Sequence, residues 1–133
     1  MIYLDSTVLI YAILYADERG EWARNLLENV KVGERIAATS ALTFDEVFWK
    51  VKKEKSFNAA LRAGEAFLTM PNLTFISVDD EVLWESLALI KQYKLDPRDA
   101  IHAACAITHG SYTIISEDTD FDKIAVLSRE WMW

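Results

Sequence analysis

Hydrophobic positions change their period repeatedly along this chain, and each change predicts a new element. Met1–Leu4 is a short apolar run ending at Asp5, the pattern of a buried strand that delivers an acid at its C-terminal end. Ser6 and Thr7 are placed to cap a helix over Val8–Tyr15. After a break at Ala16–Gly20, Trp22, Ala23, Leu26, Leu27 and Val30 recur at helical spacing until Gly33 stops them. Arg35–Thr39 reads as a second strand. Ser40 and Thr43 offer caps for a long helix whose apolar stripe is Phe44, Val47, Phe48 and Val51.

A further helix runs from about Phe57 to Thr69, closed by Pro71, and Leu73–Val78 alternates in the manner of a strand. Asp79, Asp80 and Glu81 favour a helix N-terminus, which Val82, Leu83, Leu87 and Ile90 carry toward Tyr93. Asp96-Pro97-Arg98-Asp99 is a strong start signal, with a cap, a proline at the first helical position and an acid at the third. That helix continues through Ile101, Ala104, Cys105 and Ile107 to Gly110. Tyr112–Ile115 is a strand, Ser116–Asp122 is acid-rich, and Ile124–Leu127 reads as a last short strand. Strands alternating with helices predict a three-layer α/β/α fold around a mostly parallel sheet of four to five strands. At 133 residues, the chain suits one domain over residues 1–133.

Composition narrows the function more than the fold. Only 4 Gly and 2 Pro leave little room for the many turns of a sandwich or barrel. Lys plus Arg is 14 against 21 for Asp plus Glu, a net charge of −7, so no general basic surface exists to hold nucleic acid. Action on nucleic acid would need a local basic strip or a bound cation. The single cysteine, Cys105, excludes an internal disulfide and every multi-cysteine zinc motif. Thr7–Ala16 is apolar, but it is far short of the ~20 residues that cross a bilayer, and neither a basic residue before it nor a cleavage site after it marks a signal peptide. A cytoplasmic protein with no membrane role is expected.

The chemistry lies in where the acids fall. Ligands of open parallel sheets bind at the carboxyl ends of the strands. Asp5 follows the first strand directly, Asp118 follows the Tyr112–Ile115 strand by three residues, and Asp120 and Asp122 come close behind. Asp99 opens a helix whose N-terminus belongs near that same edge. Glu46 lies in the helix after the second strand, although it faces away from the apolar stripe, and pattern alone makes it a solvated residue. Each acid has a structural explanation of its own as a cap, a turn residue or a first-turn helix acid. Their joint placement is what points to a site. Two bare carboxylates 4 Å apart repel by about 4 kcal/mol at an effective dielectric of 20. Such a cluster must take up protons, pair with basic groups or bind a cation, and oxygen-only ligation favours Mg²⁺ or Mn²⁺ over Zn²⁺.

These segments, in order, resemble a PIN-domain nuclease: Ile2-Tyr3-Leu4-Asp5-Ser6-Thr7, Asp45-Glu46-Val47, Asp99-Ala100-Ile101-His102-Ala103-Ala104, and Ser116-Glu117-Asp118-Thr119-Asp120-Phe121. The length is similar to that of the VapC-type toxin ribonucleases. The resemblance implies that Asp5, Glu46, Asp99 and Asp118 bind Mg²⁺ or Mn²⁺ and carry catalysis. Ser116 matches a small hydroxyl position near the acids, Thr7 stands where many relatives have Asn or Ser, and Asp120 is an auxiliary acid that varies in the family. The activity implied is endoribonucleolytic hydrolysis of RNA to 5′-phosphate and 3′-hydroxyl ends. A small antitoxin protein that places a basic residue in the acidic site is implied as partner, and a homodimer as the assembly.

The rival within the same fold is a non-catalytic PIN-like binding module, which loss of the acids would mark. A receiver-type phosphoacceptor domain wants adjacent acids after the first strand and a Lys after the last long one, and Asp5-Ser6 and Ser116-Glu117 supply neither. Thr7 excludes an Asp-x-Asp phosphatase. Lys50, Lys52 and Lys53, with Arg98, are the candidate contacts for an RNA backbone, although a solvated helix face accounts for the lysines and an ion pair with a nearby acid for Arg98. His102 reads as a packed or hydrogen-bonded helix residue rather than a base. Trp22, Phe48 and Trp49 are candidates to line a groove for the antitoxin, and Trp131 and Trp133 to form the dimer contact.

Overall fold

A computed structural model of the protein describes residues 1–132; the dimer expectation for Trp133 lies outside the described residues. Five strands form one parallel sheet, β1 (Ile2–Leu4), β2 (Ala37–Ser40), β3 (Leu73–Ile76), β4 (Thr113–Ile115) and β5 (Ser128–Glu130), in the order β3-β2-β1-β4-β5. Six helices connect them: α1 (Ser6–Leu14), α2 (Glu18–Lys31), α3 (Ala41–Glu54), α4 (Phe57–Leu68), α5 (Asp80–Tyr93) and α6 (Pro97–Thr108).

Alternation along the central strand divides the core into two layers. Ile2 and Leu4 point to one face, where they meet Val8, Leu26, Val30, Val47, Val51 and Phe67 from α1 to α4. Tyr3 points to the other, against Val82 and Leu89 of α5 and the small face Ala100, Ala103, Ala104 of α6. The result is the α/β/α sandwich expected from the sequence. None of the helices among the described residues is long and apolar enough to cross a membrane.

Two local readings are corrected. The cap of α1 is Asp5, whose carboxylate accepts from Thr7 N; Ser6 and Thr7 are already helical. The last strand is Ser128–Glu130, not Ile124–Leu127. Ile124 and Leu127 are buried against Phe121 and Ile114, but they sit in the turn that follows the 3₁₀ segment Thr119–Lys123. Their apolar pattern reports burial, whereas the ladder itself is made by polar residues of an edge strand, Arg129 opposite Ile114.

Candidate active site

Strand order reverses next to β1: the chain steps outward from β1 through β2 to β3, then returns to place β4 on the other side of β1. A crevice opens at such a switch point, beyond the carboxyl ends of the two strands. Asp5 leaves β1 there, and Ser116–Asp118 leave β4 there. These are the loops that any ligand in the crevice meets first.

The two loops are tied together. Asp5 is 5% exposed, and its Oδ1 accepts from Thr7 N at 2.6 Å and Thr7 Oγ1 at 2.7 Å. Its Oδ2 accepts from Ser116 Oγ at 2.5 Å, and Ser116 Oγ in turn accepts from Asp118 N at 3.0 Å. Asp118 caps the 3₁₀ segment by accepting from Asp120 N at 2.8 Å. Ser116 and Thr7 therefore both act on the Asp5 carboxylate, and Ser116 also on the Asp118 backbone. They fix the rotamer of Asp5 and the path of the Asp118 loop.

Asp99, from the first turn of α6, completes the group. Oxygens of Asp99, Asp118 and Asp120 lie within 4.8 Å of one another, all half-buried. Asp120, an auxiliary acid by resemblance, belongs to this trio, while Asp5 is one hydroxyl away through Ser116 and Glu46 lies outside it. Burial first, then the neighbouring charges and hydrogen bond of Asp118 and the charge of Asp120, push the Asp99 carboxyl up to about 7. Lys123 pairs with Asp120 Oδ1 at 3.3 Å on the exposed side, but no lysine or arginine pairs with Asp99 or Asp118 among the described residues, so the cluster is short of positive charge at neutral pH. Hard oxygen donors from separate elements, converging and under-neutralised, fit a divalent cation of the Mg²⁺ or Mn²⁺ type. Asp99, Asp118 and Asp120 would hold it, with Asp5 behind them.

Glu46 departs from its pattern. It is not a solvated residue: its side chain is 19% exposed, and Oε1 lies 2.5 Å from Nε2 of His102 on α6. His102 is buried, as a packed and hydrogen-bonded residue, and its Nδ1 is 2.8 Å from Tyr3 Oη, which donates to Ser40 Oγ at 2.8 Å. Burial opposes a charge on this ring. The Glu46 hydrogen bond and the charges of Asp5, Glu46 and Asp99 outweigh it and hold His102 above the usual histidine range. Glu46 touches the ring, and Asp99 lies one helical turn before it on α6.

Beside Glu46 lies a cleft of about 330 Å³ lined by Ser6, Ile10, Asp45, Trp49, Lys50 and Arg98. Lys50 also pairs with Glu54 at 3.3 Å, Lys53 sits 4.9 Å over the Trp49 ring, and Lys52 is exposed. Arg98 makes no ion pair among the described residues, contrary to one expectation, and lines the cleft instead. Trp49 is 59% exposed at this rim. Trp22 is not free for a partner in the same way, because its ring packs on Trp131, which also meets Tyr11 edge-on. Phe48 lies between Phe44 and Phe57. Tyr11 donates to the Glu117 carboxylate, joining α1 to the loop after β4; neither residue stood out in the sequence.

The comparison with curated proteins gave no match. Among solved structures, the chain is similar to the VapC20 toxin of Mycobacterium tuberculosis, described as cleaving the sarcin-ricin loop, with a TM-score of 0.78, 16% identity, and 94% of this chain and 95% of that one covered. It is also similar to VapBC2 of Rickettsia felis bound to a promoter DNA fragment, with a TM-score of 0.76, 23% identity and 98% of each chain covered. A toxin–antitoxin complex from Klebsiella pneumoniae matches at 26% identity over 96% of each chain, with a TM-score of 0.69. The family model of the PIN domain matches residues 2–127. With its acids gathered at the switch point of a parallel sheet and that model spanning nearly its whole length, the chain belongs to the PIN domain family.

Proposed function

We propose that the protein is a metal-dependent endoribonuclease, a single nuclease domain over residues 1–133, and the toxin half of a toxin–antitoxin pair. The convergence of Asp99, Asp118 and Asp120 oxygens within 4.8 Å carries this reading. Asp5, Glu46, Asp99 and Asp118 are the proposed catalytic and metal-binding acids, with Asp120 added by its position. When bound, Mg²⁺ or Mn²⁺ supplies activation of the attacking water and stabilisation of the leaving oxygen. The chain's own residues do the rest. Ser116 and Thr7 hold the Asp5 carboxylate, the 3₁₀ segment holds Asp118 and Asp120 together, and α6 presents Asp99 from its first turn.

The direct test is purified protein with RNA in Mg²⁺ or Mn²⁺ against the same reaction in excess EDTA. Cleavage with 5′-phosphate and 3′-hydroxyl ends, abolished by the chelator, is the expected result. Metal binding and RNA binding without cleavage would return the chain to a non-catalytic binding module.

The RNA path is proposed to run along the cleft beside Glu46, where Lys50 and Arg98 meet backbone phosphates and Lys52 and Lys53 extend the strip along α3. Each phosphate contact on a single strand contributes about 0.7 to the log–log salt slope of binding. Replacing Lys50, Lys52 and Lys53 together by Ala is therefore expected to lower that slope by about 2 and to weaken binding similarly for all sequences. A filter-binding series across salt concentrations checks it, and an unchanged slope makes the strip a solubilising face.

The proposed protein partner is a small antitoxin inserting an Arg or Lys into the acidic site, which is short of positive charge in the free protein. Solved structures similar to this chain include a toxin–antitoxin complex and a VapBC pair, which supports the reading. Trp49, exposed at the rim of the cleft, is the remaining aromatic candidate for that contact. Co-expression with the neighbouring small gene and purification by a tag on either chain should recover both. Failure to co-purify, with no relief of growth arrest, removes the antitoxin and leaves the nuclease standing. A cytoplasmic location and a homodimer complete the proposal. Because Trp131 is packed within its own chain, exposed residues such as Trp84, 72% exposed on α5, are better placed for a dimer contact. Sedimentation of wild type and Trp84→Ser tests it.

A further inference from the structure

We propose that His102 is a positioning residue for Glu46, held in place by a buried hydrogen-bond chain through Tyr3 to Ser40. The inference rests on the nuclease reading and extends it to residues that hold no place in the acid set. Four side chains from four elements are connected end to end: Glu46 of α3, His102 of α6, Tyr3 of β1 and Ser40 at the end of β2. The separations are 2.5 Å, 2.8 Å and 2.8 Å. His102, Tyr3 and Ser40 are all at most 2% exposed, so the chain is shielded from competing water.

Geometry decides which way the dependence runs. Glu46 is a flexible side chain on a helix that reaches the site from outside the sheet, and the carboxylate has no other hydrogen-bond partner among the described residues. The imidazole, by contrast, is fixed at both nitrogens: one by Glu46, the other by a tyrosine anchored on the central strand. The Tyr3 ring also packs edge-on against the imidazole, with centroids 5.7 Å apart. Position 102 is one helical turn from Asp99 on α6, so one helix supplies an acid of the cluster and the clamp for another acid. A ring oriented by its second nitrogen is how proteins commonly set the direction of a ligand carboxylate or imidazole, and loss of such an outer partner weakens metal affinity by about 10–100-fold.

The test measures Mn²⁺ affinity of the RNA-free protein, by the electron paramagnetic resonance of free Mn²⁺, alongside thermal unfolding and RNA cleavage. Three single variants are compared. His102→Ala is expected to stay folded and bind Mn²⁺ about 10-fold or more weakly. His102→Gln, whose amide nitrogen reaches the place of Nε2, should recover most of the affinity. His102→Asn, which reaches only the place of Nδ1 and so keeps Tyr3 but not Glu46, should not. In a Glu46→Gln background, His102→Ala should cause no further loss of affinity. Rescue by Gln but not Asn is the signature that a packing role lacks, and it remains readable if His102→Ala unfolds. Equal Mn²⁺ affinity in wild type, His102→Gln and His102→Asn overturns the proposal, as does recovery by both amides in step with thermal stability alone. Wild type that binds no Mn²⁺ and cleaves no RNA removes the nuclease reading itself and the clamp with it, an outcome distinct from wild type and all variants binding alike.

Discussion

Asp99→Asn is expected to abolish RNA cleavage and, in the absence of metal, to make the protein more stable above neutral pH. Asn keeps the shape of the side chain and removes one charge from the trio Asp99, Asp118 and Asp120. The activity loss should be about 100-fold or more, the scale on which loss of one preorganised electrostatic group in a site is felt. The stability gain follows from the Asp99 carboxyl, which titrates near 7 in the fold against an ordinary 3.8. Below about pH 3 the carboxyl is protonated in both the folded and unfolded chain, and the variant gains nothing. As pH rises from there the unfolded chain gives up its proton while the folded chain retains it, so the wild type loses stability until about pH 7. Above that the full penalty is present, and the variant is free of it. Because Asp99 is only half-buried, solvent screening reduces the gain to on the order of 1–2 kcal/mol, or a melting temperature higher by about 3–8 °C. Melts in chelator at about pH 3 and pH 8 check both limbs. Adding Mn²⁺ at 100 times its dissociation constant should then stabilise the wild type by about 2.7 kcal/mol, a gain the variant lacks. Full cleavage by Asp99→Asn, or cleavage undiminished in excess EDTA, would sink the mechanism.

Gly20→Ala is the second large effect, and propensity predicts the wrong sign for it. Gly20 lies in the first turn of α2, where Ala is favoured over Gly by about 1 kcal/mol in an isolated helix. In the fold, a Cβ there would stand 1.8 Å from the Tyr15 carbonyl oxygen and 2.8 Å from Arg24 Nη1. The obstacle is backbone, just past the end of α1, and cannot swing aside. Arg24 Nη1 bonds that same oxygen at 2.8 Å and the Ala12 carbonyl at 3.0 Å, which closes the corner between the two helices. Relieving the clash separates α1 from α2 and breaks these bonds. The expected cost is about 3 kcal/mol, seen as a melting temperature lower by roughly 10 °C. Gly64→Ala is the control. Its Cβ would meet the Phe44 ring edge at 3.3 Å and the Phe48 ring at 3.5 Å, and side chains can yield, so a change within about 1 kcal/mol is expected. Equal losses at the two glycines would show that the α1–α2 corner has no special tightness.

Much of this was legible in the residues because burial and capping leave local marks. The apolar run before Asp5, the Asp96-Pro97 start of α6 and the apolar stripe of α3 placed their elements within a residue or two. The last strand lies outside the apolar stretch that predicts it, for a physical reason. Ser128–Glu130 gains its ladder from β4 but faces solvent at the edge of the sheet, so nothing in its side chains distinguishes it from a loop. Ile124 and Leu127 are apolar because they fill the core, without pairing with any strand.

The split at the site follows the same logic. From the amino-acid sequence alone come the alternation of strands and helices, the acids at strand ends and helix starts, and the resemblance in their order, since each depends on neighbours close in the chain. Tertiary structure alone decided which acids meet. Asp120 joins Asp99 and Asp118 because a 3₁₀ turn folds back on its own cap, a detail below the resolution of periodicity. Glu46 looked solvated because it lies off the apolar stripe of α3, yet the face opposite a stripe is exposed only when no other element crosses it. Here α6 does cross, and His102, 56 positions away along the chain, covers the carboxylate. Contacts at such separations leave no local pattern, because what they require of each residue is set by a partner that only the folded chain brings near.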